Sequence, residues 1–312
     1  TKTSMGRRLL KSWLDKPLIN YATITKRHNA VGELCDKNMV LSELTHTLSD
    51  VYDIERLMTR VMFETANAKD LNSLKSTIEC LPQIKALLSE FDCQLLKYQH
   101  DTLDLLQDVY ELIDAAIKED APFSVREGGI IKDGFNDELD SLRDIQNGGN
   151  KFIAEIEARE KEETGIPKLR ISYNRVFGYY IEVTNSYKDL VPETYIRKQT
   201  LANCERYITE ELKTLESKIL GAQERIVKLE YEIFCQIRAG VANQYNRILA
   251  SSTALSVTDV LCSLANTAIN NNYVCPAMIA DGSITINDGR HPVVELMLDG
   301  APFVPNDTYM DC

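Results

Sequence analysis

The sequence predicts a mainly α protein: a bundle of long helices, an inserted small α+β domain built on a β-hairpin and sheet, and a short β-containing piece at the C-terminus. Three observations predict it. Apolar residues recur at helical spacing through most of the chain. Two period-two runs face each other between Leu169 and Val183. An apolar seam then runs Leu212, Leu215, Ile219, Ala222, Ile226, Leu229, Ile233, spaced 3, 4, 3, 4, 3, 4.

The elements follow in order. Leu9, Leu10, Trp13 and Leu14 make one apolar face before Pro17, with Trp13 read as core. His28, Val31, Leu34 and Cys35 make a second. Leu48, Val51, Ile54, Leu57, Met58 and Val61 sit at helical spacing. So do Leu71, Leu74 and Ile78, with an end expected near Pro82. Leu103, Leu106, Tyr110, Ile113 and Ile117 continue the pattern to Pro122. Pro122 and Gly128-Gly129 mark a boundary. Beyond it, Asp137 to Ile145 reads as a short helix, Gly148-Gly149 as punctuation, and Lys151 to Thr164 as a charged helix ending at Gly165.

In the hairpin, Leu169, Ile171 and Tyr173 alternate with Arg170 and Ser172. Tyr179, Ile181 and Val183 alternate with Tyr180 and Glu182. Asn174-Arg175-Val176-Phe177-Gly178 lies between the two runs as the turn. The seam helix starts after Thr209, a capping residue, and Glu210 and Glu211 suit its positive dipole end. A continuous helix from Glu210 to Arg247 would span about 57 Å. Such a seam needs an antiparallel partner; the candidates are 151–164 and the helices of the first 120 residues. Helical character continues through Leu255, Val260, Leu261 and Leu264 to about Ala268. From Asn270 the pattern changes: Pro276, Gly282, Ile284-Thr285-Ile286 and Val293-Val294 read as turns and strands. The chain therefore runs out along helices, makes a β-rich tip, and returns along one long helix.

A length of 312 residues allows about two domains. Hydrophobic content of 44% with 26% charged residues fits a soluble globular chain. No run of about 18 apolar residues marks a membrane span. The eight cysteines are scattered without a CxxC, which reads as thiols of a reducing cytosol, with zinc or disulfides as the alternatives. The net charge of −12 argues against a generic DNA binder. Its distribution reopens the question. Asp101 to Glu163 carries 18 acidic and 7 basic residues, whereas Lys168 to Arg206 carries 7 basic and 4 acidic. A positive tip on an acidic body can hold phosphates while the body repels DNA elsewhere.

Asn174 and Arg175 at the turn, then Arg197, Lys198, Gln199, Thr200, Asn203 and Arg206, are the candidate phosphate contacts. Arg supplies a planar donor fork and Lys a point charge. The alternatives are a solvated loop pair at Arg197-Lys198, and a turn that uses Asn174 and Gly178 for backbone reasons. Nothing is fitted to read base edges, and phosphate contacts carry no sequence information. Tyr173, Tyr179, Tyr180, Tyr187 and Tyr195 suit base stacking, although the alternation sends at least half of them into a core. His291, within Asp288-Gly-Arg-His-Pro292, reads as a turn histidine; no nucleophile is suggestively spaced from it. Asp101, Asp104 and Asp108 share a helix face, but no histidine accompanies them as a metal site would need. Glu162-Glu163 has the same lack.

At these residues the chain resembles a known family. Ser172 to Tyr180 (SYNRVFGYY) and Tyr195 to Ile208 (YIRKQTLANCERYI) are similar to the clamp of the bacterial MutS mismatch-repair ATPases. Thr1 to Leu18, Asp53 to Val61, Ala66 to Leu74 and Leu81 to Ile84 resemble the lever of that family. Asn272 to Pro276, Asp288 to Glu295 and Phe303 to Asp307 resemble the entry to its ATPase domain. The matches are collinear and cover nearly the whole chain. The resemblance implies lever helices over 1–125 and 209–268, a DNA-backbone-binding clamp over 126–208, and the start of the ATPase domain over 269–312. It implies duplex DNA as ligand, mismatch-containing in the parent, a second MutS copy and a MutL-type protein as partners, and a cytoplasmic, nucleoid-associated location. No membrane partner is expected. ATP and magnesium belong to the parent. Phe303 and Val304 match the segment that packs on the adenine of ATP, yet no GxxxxGK[ST] phosphate loop occurs in this sequence. The expectation is a segment of a longer protein, without catalysis or cofactor of its own, lacking both the mismatch reader and the motor. Two other readings stand beside it: a helical scaffold or dimerisation piece without DNA affinity, and a MutS relative that holds branched DNA.

Overall fold

A computed structural model describes residues 1–124, 127–174, 178–279, 282–298 and 303–311. The helices are α1 (Ser4–Asp15), α2 (Tyr21–Asp36), α3 (Asn38–Thr47), α4 (Ile54–Met62), α5 (Ala68–Leu88), α6 (Gln94–Thr102), α7 (Gln107–Ala116) and α8 (Asp137–Thr164). After the strands β1 (Arg170–Asn174), β2 (Gly178–Thr184), β3 (Ile196–Thr200) and β4 (Cys204–Ile208) come α9 (Glu210–Asn243) and α10 (Tyr245–Asn271). The chain closes with β5 (Ile284–Gly289), α11 (Pro292–Met297) and β6 (Asn306–Met310). The fold is mainly α, with one four-stranded antiparallel sheet and one two-stranded ribbon.

The chain forms two compact units. The first comprises Thr1–Ser49, Ile84–Thr102 and Ala254–Cys312. Its core holds Leu34, Leu41, Leu44, Phe91, Leu96 and Leu261, all buried. Thr3 caps α1, its hydroxyl accepting from the Gly6 N–H at 2.9 Å, and donates the same hydroxyl to Asp259. Trp13 departs from the core reading. It is half-buried under Arg27, whose guanidinium carbon stands 3.3 Å from the ring centroid. The ring lines an open apolar groove of about 620 Å³ with Leu10, Ile24, Val31 and Tyr273. Val293-Val294 departs from the strand reading. Both lie in α11, where Pro292 takes the first helical position and the His291 ring nitrogen accepts from the Val293 and Val294 N–H groups at 3.3 and 3.2 Å. His291 is thus a helix cap.

The second unit comprises Asp50–Gln83 and Leu103–Thr253. Its long axis is the pair α8 and α9. They run antiparallel, since Arg143 reaches Glu230, Gln146 reaches Gln223, and Arg159 reaches Glu211. Every seam residue of α9 is buried except Leu215, which is half-buried. The partner extends further than the 151–164 helix. α8 is one 28-residue helix that passes through Gly148-Gly149 without a break. Two glycines cost about 1 kcal/mol each relative to alanine; continuous packing along α9 offsets that. Buried Glu230 fixes the register, accepting from the Ile130 N–H at 3.1 Å and from Arg143.

Four other boundaries differ from the periodicity. α5 continues through Pro82, with Leu81 and Ile84 buried on either side. The run from Leu48 to Val61 breaks at a short 3-10 turn (Leu48–Asp50), and α4 restarts from an Asp53 cap. The run from Leu103 to Ile117 breaks at Leu106, held left-handed with its N–H on the Asp104 carboxylate at 2.9 Å. The returning helix breaks at Gln244, short of Arg247. The Arg247 guanidinium forks onto Asp104 and Asp108, with two contacts of 2.8 Å. Asp101, Asp104 and Asp108 do not share a helix face: Asp101 lies in α6, Asp108 in α7 and Asp104 in the segment between them, and the latter two hold Arg247. Among the described residues no cluster of metal-ligating groups occurs, and seven cysteines are free thiols.

Among the described residues one helix, α10, is long and apolar enough to cross a membrane by length and composition. Within its apolar window 67% is buried inside the protein, and Asp259 sits in it at 1% exposure. Burial in a protein core accounts for the same composition.

Candidate nucleic-acid interface

The tip sheet lies at the end of the α8–α9 pair. Its strand order is β1-β2-β4-β3, all antiparallel, so β1 and β3 are edges. One face is a core: Ile181, Val183 and Tyr207 pack with Ile166, Leu169, Tyr195 and Leu212. The adjoining helices pin that face. The Tyr195 hydroxyl donates to buried Glu160 of α8, and Glu157 of α8 accepts from the Ile171 N–H at 2.9 Å. Burial first, and then the Glu160 carboxylate, push the Tyr195 phenol far above its ordinary range. Burial and the Glu205 carboxylate likewise push the Tyr207 phenol up to about 12. Neither ring is available to stack on a base. Tyr180 is buried as well, whereas Tyr173 is exposed and tilted against Tyr179 at 5.0 Å.

On the other face, residues directly opposite one another across the strands form a ladder: Arg170, Glu182, Arg206 and Gln199. Arg206 is held within it. Its guanidinium lies 3.3 Å from Glu182, donates to Gln199 at 3.0 Å, and stacks over the Tyr180 ring at 4.4 Å. Of the eight phosphate-contact candidates, Arg206 and Gln199 are therefore joined to each other and to the sheet.

The remaining candidates on β3 and its turn face water. β3 pairs with β4 through a bulge: Arg197 opposes Tyr207, Gln199 opposes Arg206, and Lys198 is the extra residue between them. A bulge breaks the alternation of an edge strand and re-aims a side chain. Arg197 is 63% exposed and 3.6 Å from Glu205. Lys198 and Thr200 are exposed, and Lys198 has no ion pair among the described residues. The β3–β4 turn is tied down by Asn185, whose backbone N–H bonds Asn203 O at 3.1 Å and whose side chain bonds Ala202 O at 2.9 Å. Asn203 is exposed at that turn. At the opposite edge Asn174 is half-buried at the end of β1, and Arg175 lies outside the described residues. Phe303 is half-buried and Val304 is exposed ahead of β6 in the other unit. They offer apolar surface without a donor for phosphate.

The sequence reading did not single out Glu182 or Tyr180 as the groups that hold Arg206. The signal was available in the pairing register, which puts an acid and a ring on the face of that arginine.

β4 ends at Ile208, and Thr209 immediately caps α9, its side chain accepting from the Leu212 N–H at 3.2 Å. No linker separates the sheet from the 34-residue helix.

Comparison with known proteins converges on one family. The model for MutS domain III matches residues 1–265. The chain is 52% identical over its whole length to the DNA mismatch repair protein MutS of Caldicellulosiruptor bescii, covering 36% of that protein. It is 51% identical to the protein of the same description from Acetivibrio thermocellus, again covering 36%, and 46% identical to that of Clostridium botulinum, covering 34%. The chain thus spans about a third of the length of the relatives it matches.

Proposed function

The chain belongs to the MutS family, and from that premise we propose that it is the lever-and-clamp segment of a DNA mismatch repair protein. In this reading 1–125 and 209–268 are the lever, 126–208 the clamp, and 269–312 the start of an ATPase domain. The exposed edge of the tip sheet holds duplex DNA by its phosphates, without regard to sequence. One observation carries the reading most directly: a cationic, bulged edge strand sits on a sheet that continues without a linker into a 34-residue helix. That helix is about 51 Å long. A displacement at its far end moves the tip as one body, because the tip core includes Leu212 of its first turn.

The division of labour within the tip follows from its contacts. Arg197 and Lys198 supply the charge that meets phosphate, with Thr200 and Asn203 as neutral donors beside them. Arg206 positions the edge strand from the face behind. The acidic helix α8, with Asp137, Glu138 and Asp140 in its first turn, repels the backbone elsewhere and confines contact to the tip. Phe303 and Val304 do not hold a nucleotide by themselves, so ATP, magnesium, the second MutS copy and a MutL-type partner belong to the parent protein in this reading. Closure around a mismatch does too.

The test is duplex binding by fluorescence anisotropy at low and moderate salt. Each neutralised phosphate contributes about 0.9 to the slope of log affinity against log salt. The Arg197→Ala/Lys198→Ala variant should lower that slope by about 2 while its melting temperature stays unchanged. Affinity that is insensitive to salt, or unchanged in the variant, would instead favour a helical scaffold whose net charge of −12 keeps DNA away.

A further inference from the structure

Four residues of α8 recur every seven positions: Glu138, Ile145, Phe152 and Arg159. That spacing keeps them in one row beside a partner helix. The row follows one flank of the α8–α9 pair, because both its ends reach across to α9: Glu138 to Arg225 at 2.9 Å, and Arg159 to Glu211 at 2.5 Å. Between those ion pairs the flank is apolar and bare. Ile145 is 50% exposed and Phe152 56%. An apolar strip rimmed by charge is the make-up of a protein-contact surface.

The row is its own complement. Glu138 and Arg159 share a midpoint with Ile145 and Phe152, and it falls between Gly148 and Gly149. A second α8 laid antiparallel about that point sets Glu138 of each copy against Arg159 of the other. It also sets Ile145 of each against Phe152 of the other. A two-fold interface requires such self-complementarity. A parallel arrangement would instead set like charges together, which is unfavourable. Asp144 and Lys151, exposed and without an ion pair among the described residues, flank the same axis with opposite charges. The glycines stand at the crossing point. A Cβ at Gly148 would meet no atom within 4 Å, so its own chain leaves that space open. Glycine is where another backbone can approach closely.

We propose that this flank of α8 docks a second copy of the chain, packed antiparallel with the two-fold axis at Gly148-Gly149. The proposal is independent of the DNA reading of the tip sheet. A single helix pair falls at the low end of interface sizes, below about 1,200 Å², so the dimer is weak and forms with rising concentration.

The test is sedimentation equilibrium of the chain without DNA, over a range of concentrations. The average mass should rise from one chain toward two. Phe152→Ser should abolish the rise at unchanged melting temperature. Gly148→Leu enters open space in the single chain, so it should keep the fold and still weaken association. Glu138→Arg and Arg159→Glu, each confirmed folded by circular dichroism, should fail to self-associate. Mixed, they should associate with each other, because every pair across the axis is then opposite in sign. A chain that stays monomeric throughout, association that survives Phe152→Ser, or a mixture that associates no better than its components overturns the proposal.

Discussion

Thr3 and Asp259 are joined twice: the Thr3 hydroxyl and the Thr3 backbone N–H donate to the same carboxylate oxygen, at 2.7 and 2.8 Å. Lys2 N–H takes the other oxygen at 2.8 Å. The carboxylate is 1% exposed, so its charge is balanced by donors on the N-terminal segment. Asp259→Ala removes the acceptor and leaves three donors without a partner. The expected loss is about 2–4 kcal/mol of unfolding free energy, read from urea denaturation. Thr3→Val keeps the backbone contact and should lose about half as much. Gly6→Ala should also destabilise, since its Cβ would stand 2.2 Å from the Asp259 oxygen.

Stability should fall in acid through Glu33. Burial alone would raise its carboxyl, but the N–H groups of Asp92 and Cys93 and the Lys37 ammonium outweigh it and hold it at about 2, against 4.5 for the free group. The folded value is depressed, so the stabilisation is complete above about 4.5 and is lost as pH drops toward 2. By linkage it amounts to at most about 3 kcal/mol. Denaturant midpoints of the parent and Glu33→Gln should differ near neutrality, and the gap should shrink to about a quarter by about pH 2.5. A constant gap across that range would show that Glu33 is not the titrating group.

Gly178 and Glu216 should behave as a coupled pair. Gly178 has φ of +74°, and an added Cβ meets the Glu216 carboxylate. Gly178→Ala therefore carries a backbone cost of about 1 kcal/mol together with the clash. Glu216→Ala made on that background should recover the clash and leave the backbone cost. Simple additivity of the two substitutions in thermal unfolding would contradict the packing described.

Arg206 and Arg197 should separate stability from binding. Arg206→Ala loses the Tyr180 stack and the Glu182 and Gln199 contacts, with an expected cost of about 1–2 kcal/mol to the tip. Arg206→Lys keeps the charge but not the planar fork, and should recover little. Arg197→Ala should leave the melting temperature within about 1 °C and act on duplex affinity. Hydrogen exchange at β3 and β4 distinguishes them, rising in the Arg206 variants alone.

Periodicity revealed elements that bury a stripe. The α9 seam and the facing runs of the hairpin were legible because each repeats one spacing against one partner. Boundaries were less legible, because tertiary contacts decide them. Gly148-Gly149 and Pro82 are local breaks that packing overrides. Gln244 is an unremarkable residue in sequence, yet the helix stops there, next to the aspartate fork that holds Arg247. Trp13 showed its apolar face without showing that Arg27 lies on it. In the tip, composition marked the cations but not their employment. Arg206 and Lys198 are equally basic in sequence; the register sends one into a ladder and the bulge sends the other to water.

The open edge of β3 has a second consequence, for solubility. An unpaired strand edge is a template for another chain, and charged side chains and bulges are how proteins blunt it. Here Arg197 and the bulged Lys198 occupy that edge. The charges assigned to DNA are thus also those that deter one tip from pairing with another. Neutralising both exposes a flatter, uncharged edge, so the binding-deficient protein should be the more aggregation-prone one, and bound DNA should act on the parent as a solubilising partner.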